Sequence, residues 1–356
     1  MTFLYPLKSF VPFFSFGKRL LAGCFEMRLS FMYVSFMLIS TSLHSQTKSL
    51  EFLNLPGNAT LSAMGGVNVS SASQHVNVFL SNPAMAGDTT NGWGSASYLF
   101  YFADIGMANF SHQHNFKKVG ALSFGVQHLG YGQIEGYDEV GVATGVYNSG
   151  ETSLFIGKSH RVNHFRLGAN LKGTFSNVAG YRASALLVDL GGVFIHPHQD
   201  LTFGLVIKNL GFLLSEYSET STTELPFDIQ GGVSFKPEHM PVRFSFTAHH
   251  LTSFDILYYN PADESEIPNT LDKVLAHFNL GAEVLIHKHV NFLLGYNFLR
   301  HQELRLENAG GSSGISVGAL VRVRNMELSI SRTSYVASGS YQVSLSVNIE
   351  KLVSRK

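Results

Sequence analysis

The sequence predicts an all-β fold, a membrane-spanning antiparallel β-barrel of about fourteen strands with an N-terminal plug. Three observations lead there. Apolar and polar residues alternate with period two over most of the chain beyond residue 92. The alternating segments approach the ~9 to 11 residues that cross a hydrocarbon layer at a tilt. The connections between them are alternately brief and long, as in outer-membrane barrels. Composition agrees: of 356 residues, 45% are hydrophobic and only 14% charged, with 34 glycines and 29 phenylalanines, against ~25% charged in an ordinary soluble domain. Lys plus Arg equals Asp plus Glu at 25 each, so no basic excess exists to displace counterions from a nucleic acid. The single cysteine, Cys24, excludes an internal disulfide.

The chain opens on a targeting region, residues 1–45. From Met27 it reads MRLSFMYVSFMLISTSLHSQ: a cation at Arg28, an apolar run from Leu29 to Ile39, then small polar residues to Ser45. That is the layout of a secretory signal peptide, 27–45. Residues 1–26 read as an upstream start-site extension, with translation expected at Met27. Leu21-Ala22-Gly23-Cys24 has the form of a lipoprotein box, but Lys18 and Arg19 interrupt its apolar run. Beyond Gln46 no apolar stretch approaches the ~18 to 20 residues of a spanning helix.

Residues 46–91 do not alternate. Turn residues at Pro56-Gly57, Gly65-Gly66 and Asn82-Pro83 separate short apolar runs. The segment is too apolar for a disordered tail and is expected to form the plug. Gly65 and Gly66 permit a turn that bulkier residues resist, and Asn82 can hydrogen-bond the backbone beside Pro83.

The barrel is expected over 92–350, with a tail at 351–356. In 164–175 Phe165, Leu167, Ala169 and Leu171 share one face while Arg166, Asn170, Lys172 and Thr174 share the other. Val242, Phe244 and Phe246 oppose Arg243, Ser245 and Thr247; Tyr341, Val343 and Leu345 oppose Gln342, Ser344 and Ser346. Continued along the chain, the pattern gives strands near 93–102, 104–113, 119–130, 145–158, 164–175, 183–195 and 200–209. It then gives 226–235, 241–250, 273–286, 289–299, 313–323, 326–334 and 340–349. Brief turns at 117–118, 161–163, 197–199, 236–240, 287–288 and 324–325 read as polar hairpin residues. Long connections fall at 131–141, 210–225, 251–272 and 301–312. This asymmetry places both termini in the periplasm and the long loops at the cell surface. A secreted β-sandwich would also alternate, but the strand length and the scarcity of charge favour the barrel.

No chemistry-bearing motif stands out. Histidine pairs at 196/198, 249/250 and 287/289 lack metalloprotease spacing, and no GxSxG elbow or phosphate loop is present. No catalytic, cofactor-binding or metal residue is therefore expected. The acidic run Asp263, Glu264, Glu266 and Asp272 reads as a solvated loop.

Phe52-Leu53-Asn54-Leu55-Pro56, then Ala63-Met64-Gly65-Gly66-Val67, then Ser81-Asn82-Pro83-Ala84 resemble the opening of the PorQ family, outer-membrane components of the type IX secretion system. They are similar, more distantly, to PorV and the FadL-type transporters. Gly130-Tyr131-Gly132 with residues 137–141 resembles the same family's first long loop. The resemblance implies a FadL-like barrel with plug residues Pro56, Gly65, Gly66, Asn82, Pro83 and Ala84. It implies a non-enzymatic role, anchoring a PorZ-like surface protein beside the PorU/PorV attachment complex for cargo modification and attachment, amid outer-membrane lipid and lipopolysaccharide. Exposed apolar loop residues mark interfaces, which makes Leu210, Phe212, Leu213 and Leu214, with Phe254, Tyr258 and Tyr259, candidate docking residues. The alternative is a FadL-like passive transporter of hydrophobic compounds, which predicts an apolar tunnel past the plug. Polar inward residues such as Arg166, Asn170, Lys172, Arg243 and His249 do not favour such a tunnel.

Overall fold

The structure is a computed structural model and describes residues 47–71, 75–218, 223–259, 267–303, 313–335 and 338–353. The targeting region, Cys24, Asp263, Glu264, Glu266 and residues 354–356 lie outside them.

Fourteen antiparallel strands close into one barrel. They are β1 (Trp93–Phe100), β2 (Gly106–Phe116), β3 (Gly120–Tyr137), β4 (Ala143–Val162), β5 (Phe165–Val178), β6 (Tyr181–Ile195) and β7 (Asp200–Ser215). They continue as β8 (Asp228–Lys236), β9 (Val242–Ala248), β10 (Phe278–His287), β11 (Val290–Asn297), β12 (Ile315–Val323), β13 (Met326–Ser334) and β14 (Gly339–Asn348). Each pairs with its chain neighbour, and β14 returns to β1 from Tyr341↔Phe100 to Asn348↔Trp93. Closure leaves no edge whose amides and carbonyls would lack partners in hydrocarbon, where each orphan costs several kcal/mol.

The two faces of each strand carry opposite chemistry. On β14, Leu345 is 42% exposed while Ser344 is 3%. Phe110, Leu154, Ile156, Leu171, Phe203 and Phe292 likewise face out, and Asn109, Ser153, Asn170, Thr202 and Asn291 face in. An apolar exterior around a polar interior is the arrangement that lipid selects.

One rim is formed by brief turns at residues 117–119, 163–164, 196–199, 237–241, 288–289 and 324–325. The other rim departs from the expected alternation. Its connections at 101–105, 179–180 and 335–338 are also brief, and residues 131–137 are not loop but the continuation of β3. Beyond Gly130↔Gly150, β3 and β4 pair only with each other, so this hairpin projects past both neighbouring strands. Three short helices complete this account: α1 (Ala59–Ala63), α2 (Thr270–Ala276) and α3 (Phe298–Glu303). A fourth, α4 (Ile349–Val353), occupies part of the expected tail.

Residues 210–214 also require correction. They belong to β7, not to a loop. Register runs Leu190↔Ile207 and then Val188↔Leu210, so Lys208 and Asn209 together face Asp189, a bulge in which Asn209 takes φ 58°. A bulge shifts the parity of everything after it. Leu210, Phe212 and Leu214 therefore stand exposed on the outer wall, whereas Leu213 turns inward against a buried apolar cluster.

Candidate functional site: the filled lumen and the long-loop rim

Residues 50–92 run through the barrel from one rim to the other. Thr47–Lys48 pair in parallel with Thr223–Glu224 in the β7–β8 connection, at the long-loop rim. Just inside, Leu50, Phe52 and Leu53 pack with Leu99, Met107, Leu129 and Leu187 of the wall. At the far end the Ile349 amide of α4 donates to the Gly92 carbonyl at 2.8 Å. The described start of the chain and its described end thus occupy opposite rims, whereas the sequence reading put both termini on one side.

The polar wall is what holds this inner segment. Gln342 Nε2 donates to the Pro56 carbonyl at 3.1 Å, and Ser97 Oγ to the Gly57 carbonyl at 2.8 Å. Asn58 caps α1 by accepting from the Leu61 amide at 2.8 Å, while the Ala59 amide donates to Ser344 Oγ at 2.8 Å. Asn279 Nδ2 reaches the carbonyls of Met64 at 2.9 Å and Val67 at 2.6 Å, and Asn297 Nδ2 that of Gly65 at 3.0 Å. Asn170 Nδ2 donates to the Phe79 carbonyl at 2.8 Å, Ser159 Oγ to Ala86 at 2.6 Å and Gln113 Nε2 to Gly87 at 2.6 Å. His75 pairs with Glu327, which also accepts from Arg322 Nε at 2.8 Å. A segment with little regular structure cannot satisfy its own amides and carbonyls, so the wall supplies partners.

Close approach needs glycine on the wall. A Cβ on Gly295 would lie 2.2 Å from the Gly65 amide nitrogen, on Gly204 2.0 Å from the Val69 carbonyl oxygen, and on Gly168 2.4 Å from Pro83 carbon. On Gly191 it would lie 2.0 Å from Asn82 Oδ1. These strand glycines were visible in the sequence, and a glycine inside a strand is a sign of close backbone contact; their role as a seat was missed.

The predicted plug residues all lie inside the barrel. Gly65 and Gly66 take φ +90° and +92°, where a side chain is strained. Asn82 is fully buried; its Oδ1 accepts from the Ala84 amide at 3.0 Å and its Nδ2 donates to the Val69 carbonyl at 2.9 Å. Pro83 and Ala84 form a buried turn against β5 and β6. Pro56 is held by Gln342, as above.

Buried charge marks the wall at mid-height. Lys172, 1% exposed, places Nζ 2.7 Å from Asp189 Oδ1 and 2.7 Å from Asn209 Oδ1. The same Asp189 Oδ1 also accepts the Asn209 backbone amide at 2.9 Å. Lys172, Lys208, Gln127, Gln230 and His250 face Asn54, Asn68 and Ser81 across a cavity of about 60 Å³. That volume holds a few waters. It is the space left between segment and wall here; Leu53, Leu55, Leu61, Leu80 and Phe155 share its lining with the polar groups, and its small size, not its polarity, is what separates it from a tunnel for a hydrophobic solute. A second recess, of about 410 Å³, opens at the short-turn rim among Arg161, Arg166, Asp200, Thr202 and Arg243.

On the long-loop rim, Phe254 is 59% and Tyr258 92% exposed. Tyr259 is tied down instead: its hydroxyl donates to Asp255 at 3.2 Å, and Lys273 Nζ sits 5.2 Å from its ring centroid. Asp255, 2.6 Å from that ammonium, raises the Lys273 pKa above its ordinary value. His249 is buried at the base of the same connection, with Nδ1 2.6 Å from that of His250. Burial first, then the neighbouring His250, His277 and Arg300, push its pKa down to about 3. The projecting hairpin adds Tyr137, Val140, Val142 and Val146, all more than half exposed.

No family model matches the chain, and no curated protein matches it. Among solved structures it is similar to the CymD monoaromatic hydrocarbon channel, at 12% identity and TM-score 0.47 over 85% of this chain and 97% of that one. It is similar to the Ralstonia pickettii toluene transporter TbuX, at 10% identity and TM-score 0.46 over 83% and 98%. A Pseudomonas aeruginosa FadL homologue matches at 9% identity and TM-score 0.44 over 82% and 98%. The fold assignment rests on the closed register of the chain's own strands.

Proposed function

We propose that this chain is a non-enzymatic outer-membrane barrel that works through its long-loop rim, holding a protein at the cell surface. The filled lumen carries this reading: side chains from most of the wall are committed to the inner segment, and about 60 Å³ remains between segment and wall at mid-height. Exposed aromatic side chains stand on the long-loop rim, where the 131–149 hairpin projects and Phe254 and Tyr258 are uncovered. The resemblance to the PorQ family names the partner as a PorZ-like protein of the type IX secretion attachment complex. Leu210, Phe212 and Leu214 stand on the outer wall of β7 instead of in a loop, so this reading places docking on Phe254 and Tyr258.

A second reading, passage of hydrophobic compounds, is favoured by one observation. The apolar cluster of Leu50, Phe52, Leu53, Leu99, Met107, Leu129 and Phe155 lies directly beneath the long-loop rim, so displacing residues 50–53 would expose a greasy pocket there.

Gene deletion with complementation separates the two. For an anchor, deletion releases surface cargo into the medium, wild type restores attachment, and Phe254→Ser/Tyr258→Ser does not. Cargo that stays attached after deletion, with growth on hydrophobic carbon sources impaired, selects transport instead.

A further inference from the structure

The sequence reading treated the cations and histidines of the tight turns as hairpin residues in water, but their outward register gives them a different neighbour. On β4 the outward row reads Leu154, Ile156, Lys158, His160, with Leu154 48% and Ile156 51% exposed. Lys158 faces Leu122 of β3 across the ladder. Its ammonium therefore stands at the edge of the lipid-facing apolar band, where a long stem lies along hydrocarbon and the charge reaches the headgroups. On β2 the same row runs Phe110, His112, His114, Phe116, followed by Lys117 and Lys118. Around the rim Ile286 precedes His287, Lys288 and His289, and Val323 precedes Arg324.

Counter-charge on this belt is sparse. Among the described residues, Lys117, Lys118, Lys158, Lys288 and Arg324 take part in no ion pair. The acids nearest this rim are mostly engaged: Asp200 with Arg243 at 3.1 Å, Glu350 with His114 at 3.2 Å, and Glu327 with His75 and Arg322 inside the barrel. Glu238 is the exposed exception. The opposite rim is richer in acid, with Asp104, Glu135, Asp138, Glu139 and Glu216 exposed among the described residues, beside the exposed cations Arg182 and Arg332.

We infer that the outward belt at the short-turn rim is a binding surface for anionic phospholipid headgroups, with Lys117, Lys118, Lys158 and Lys288 as phosphate contacts and His114, His160 and His289 as neighbouring donors. Basic clusters beside a hydrocarbon band attract anionic lipid within a Debye length. The belt would fix the barrel's depth and its direction, short-turn rim toward the phospholipid leaflet. This rests on the barrel being embedded in a membrane, and a chain that failed to insert at all would reveal itself before any lipid was counted.

The test reconstitutes the full mature chain into nanodiscs of equal phosphatidylcholine and phosphatidylglycerol, releases it in detergent, and counts retained lipids by native mass spectrometry. Wild type is expected to retain phosphatidylglycerol over phosphatidylcholine by about threefold or more, and the preference is expected to fall as salt rises. Lys117→Gln/Lys118→Gln/Lys158→Gln/Lys288→Gln is expected to approach parity while keeping heat-modifiable mobility, and Arg182→Gln on the opposite rim to keep the preference. Equal retention by wild type, an unchanged preference in the quadruple variant, or an equal loss in Arg182→Gln overturns the proposal. Should the quadruple variant not fold, the salt response of wild type decides alone: a preference indifferent to salt overturns it.

Discussion

Asn297 on β11 donates its side-chain amide to the Gly65 carbonyl at 3.0 Å, across 232 residues of chain. Two residues back on the same face, Gly295 would bring a Cβ to 2.2 Å of the Gly65 nitrogen. Position 295 is therefore a seat rather than a spacer. Gly295→Val is expected to displace the segment around residues 63–67, at a cost of about 1 to 3 kcal/mol from overpacking. Limited proteolysis reads it: cleavage within residues 50–92 accelerates while the barrel retains its heat-modifiable mobility.

Lys172 and Asp189 form an ion pair in which both side chains are 1% exposed. Removing one member of such a pair leaves the other charge buried without its counter-ion. Lys172→Met is expected to destabilise by about 3 to 5 kcal/mol. Lys172→Met/Asp189→Asn is expected to recover part of that loss, because the carboxylate stranded by the single change is then removed as well. Urea or thermal unfolding of the purified variants gives the coupling, and strictly additive losses would count against the pair.

His249 supplies a pH dependence of definite sign. Its folded pKa, about 3, lies below the ordinary histidine value, so the unfolded state binds the extra proton first as pH falls. Stability of the 249–277 connection is full above about pH 6.5 and is lost progressively toward pH 3. Protection of the amides in this connection, taken relative to the intrinsic exchange rate at each pH, should fall below about pH 6, and His249→Gln should flatten the response. Lys273 with Asp255 does not share this window on the lysine side, since a raised lysine pKa matters only at high pH.

The strand count was legible because each barrel strand has one face in lipid and one in the polar lumen, and that contrast is written as alternation in, for example, Tyr341 to Val347. Where a strand leaves the membrane the contrast vanishes. Residues 133–148, Gly136 apart, are exposed on both faces of a two-stranded ribbon, so nothing in Gln133 to Thr144 marked them as strand. The bulge at Asn209 hid β7's continuation for another reason: with parity reversed, Leu210 to Leu214 read as an unpatterned greasy loop. The inner segment was legible as to content, through Pro56, Gly65, Gly66 and Asn82. Its direction was not, because that depends on long-range packing, such as the cluster that gathers Leu50 and Leu187, that no local pattern encodes. The lumenal pair Lys172 and Asp189 also escaped notice, since an inward polar residue reads the same whether it meets water or another charge.

The account stands on a lumen kept closed by residues 50–92, and planar-bilayer conductance of the purified mature protein tests it most directly. Wild type is predicted to show no steady ion conductance, and the chain lacking residues 50–92 to form stable conducting channels of the same folded barrel. Steady conductance by wild type, or a truncated barrel that inserts and folds yet stays closed, would contradict it.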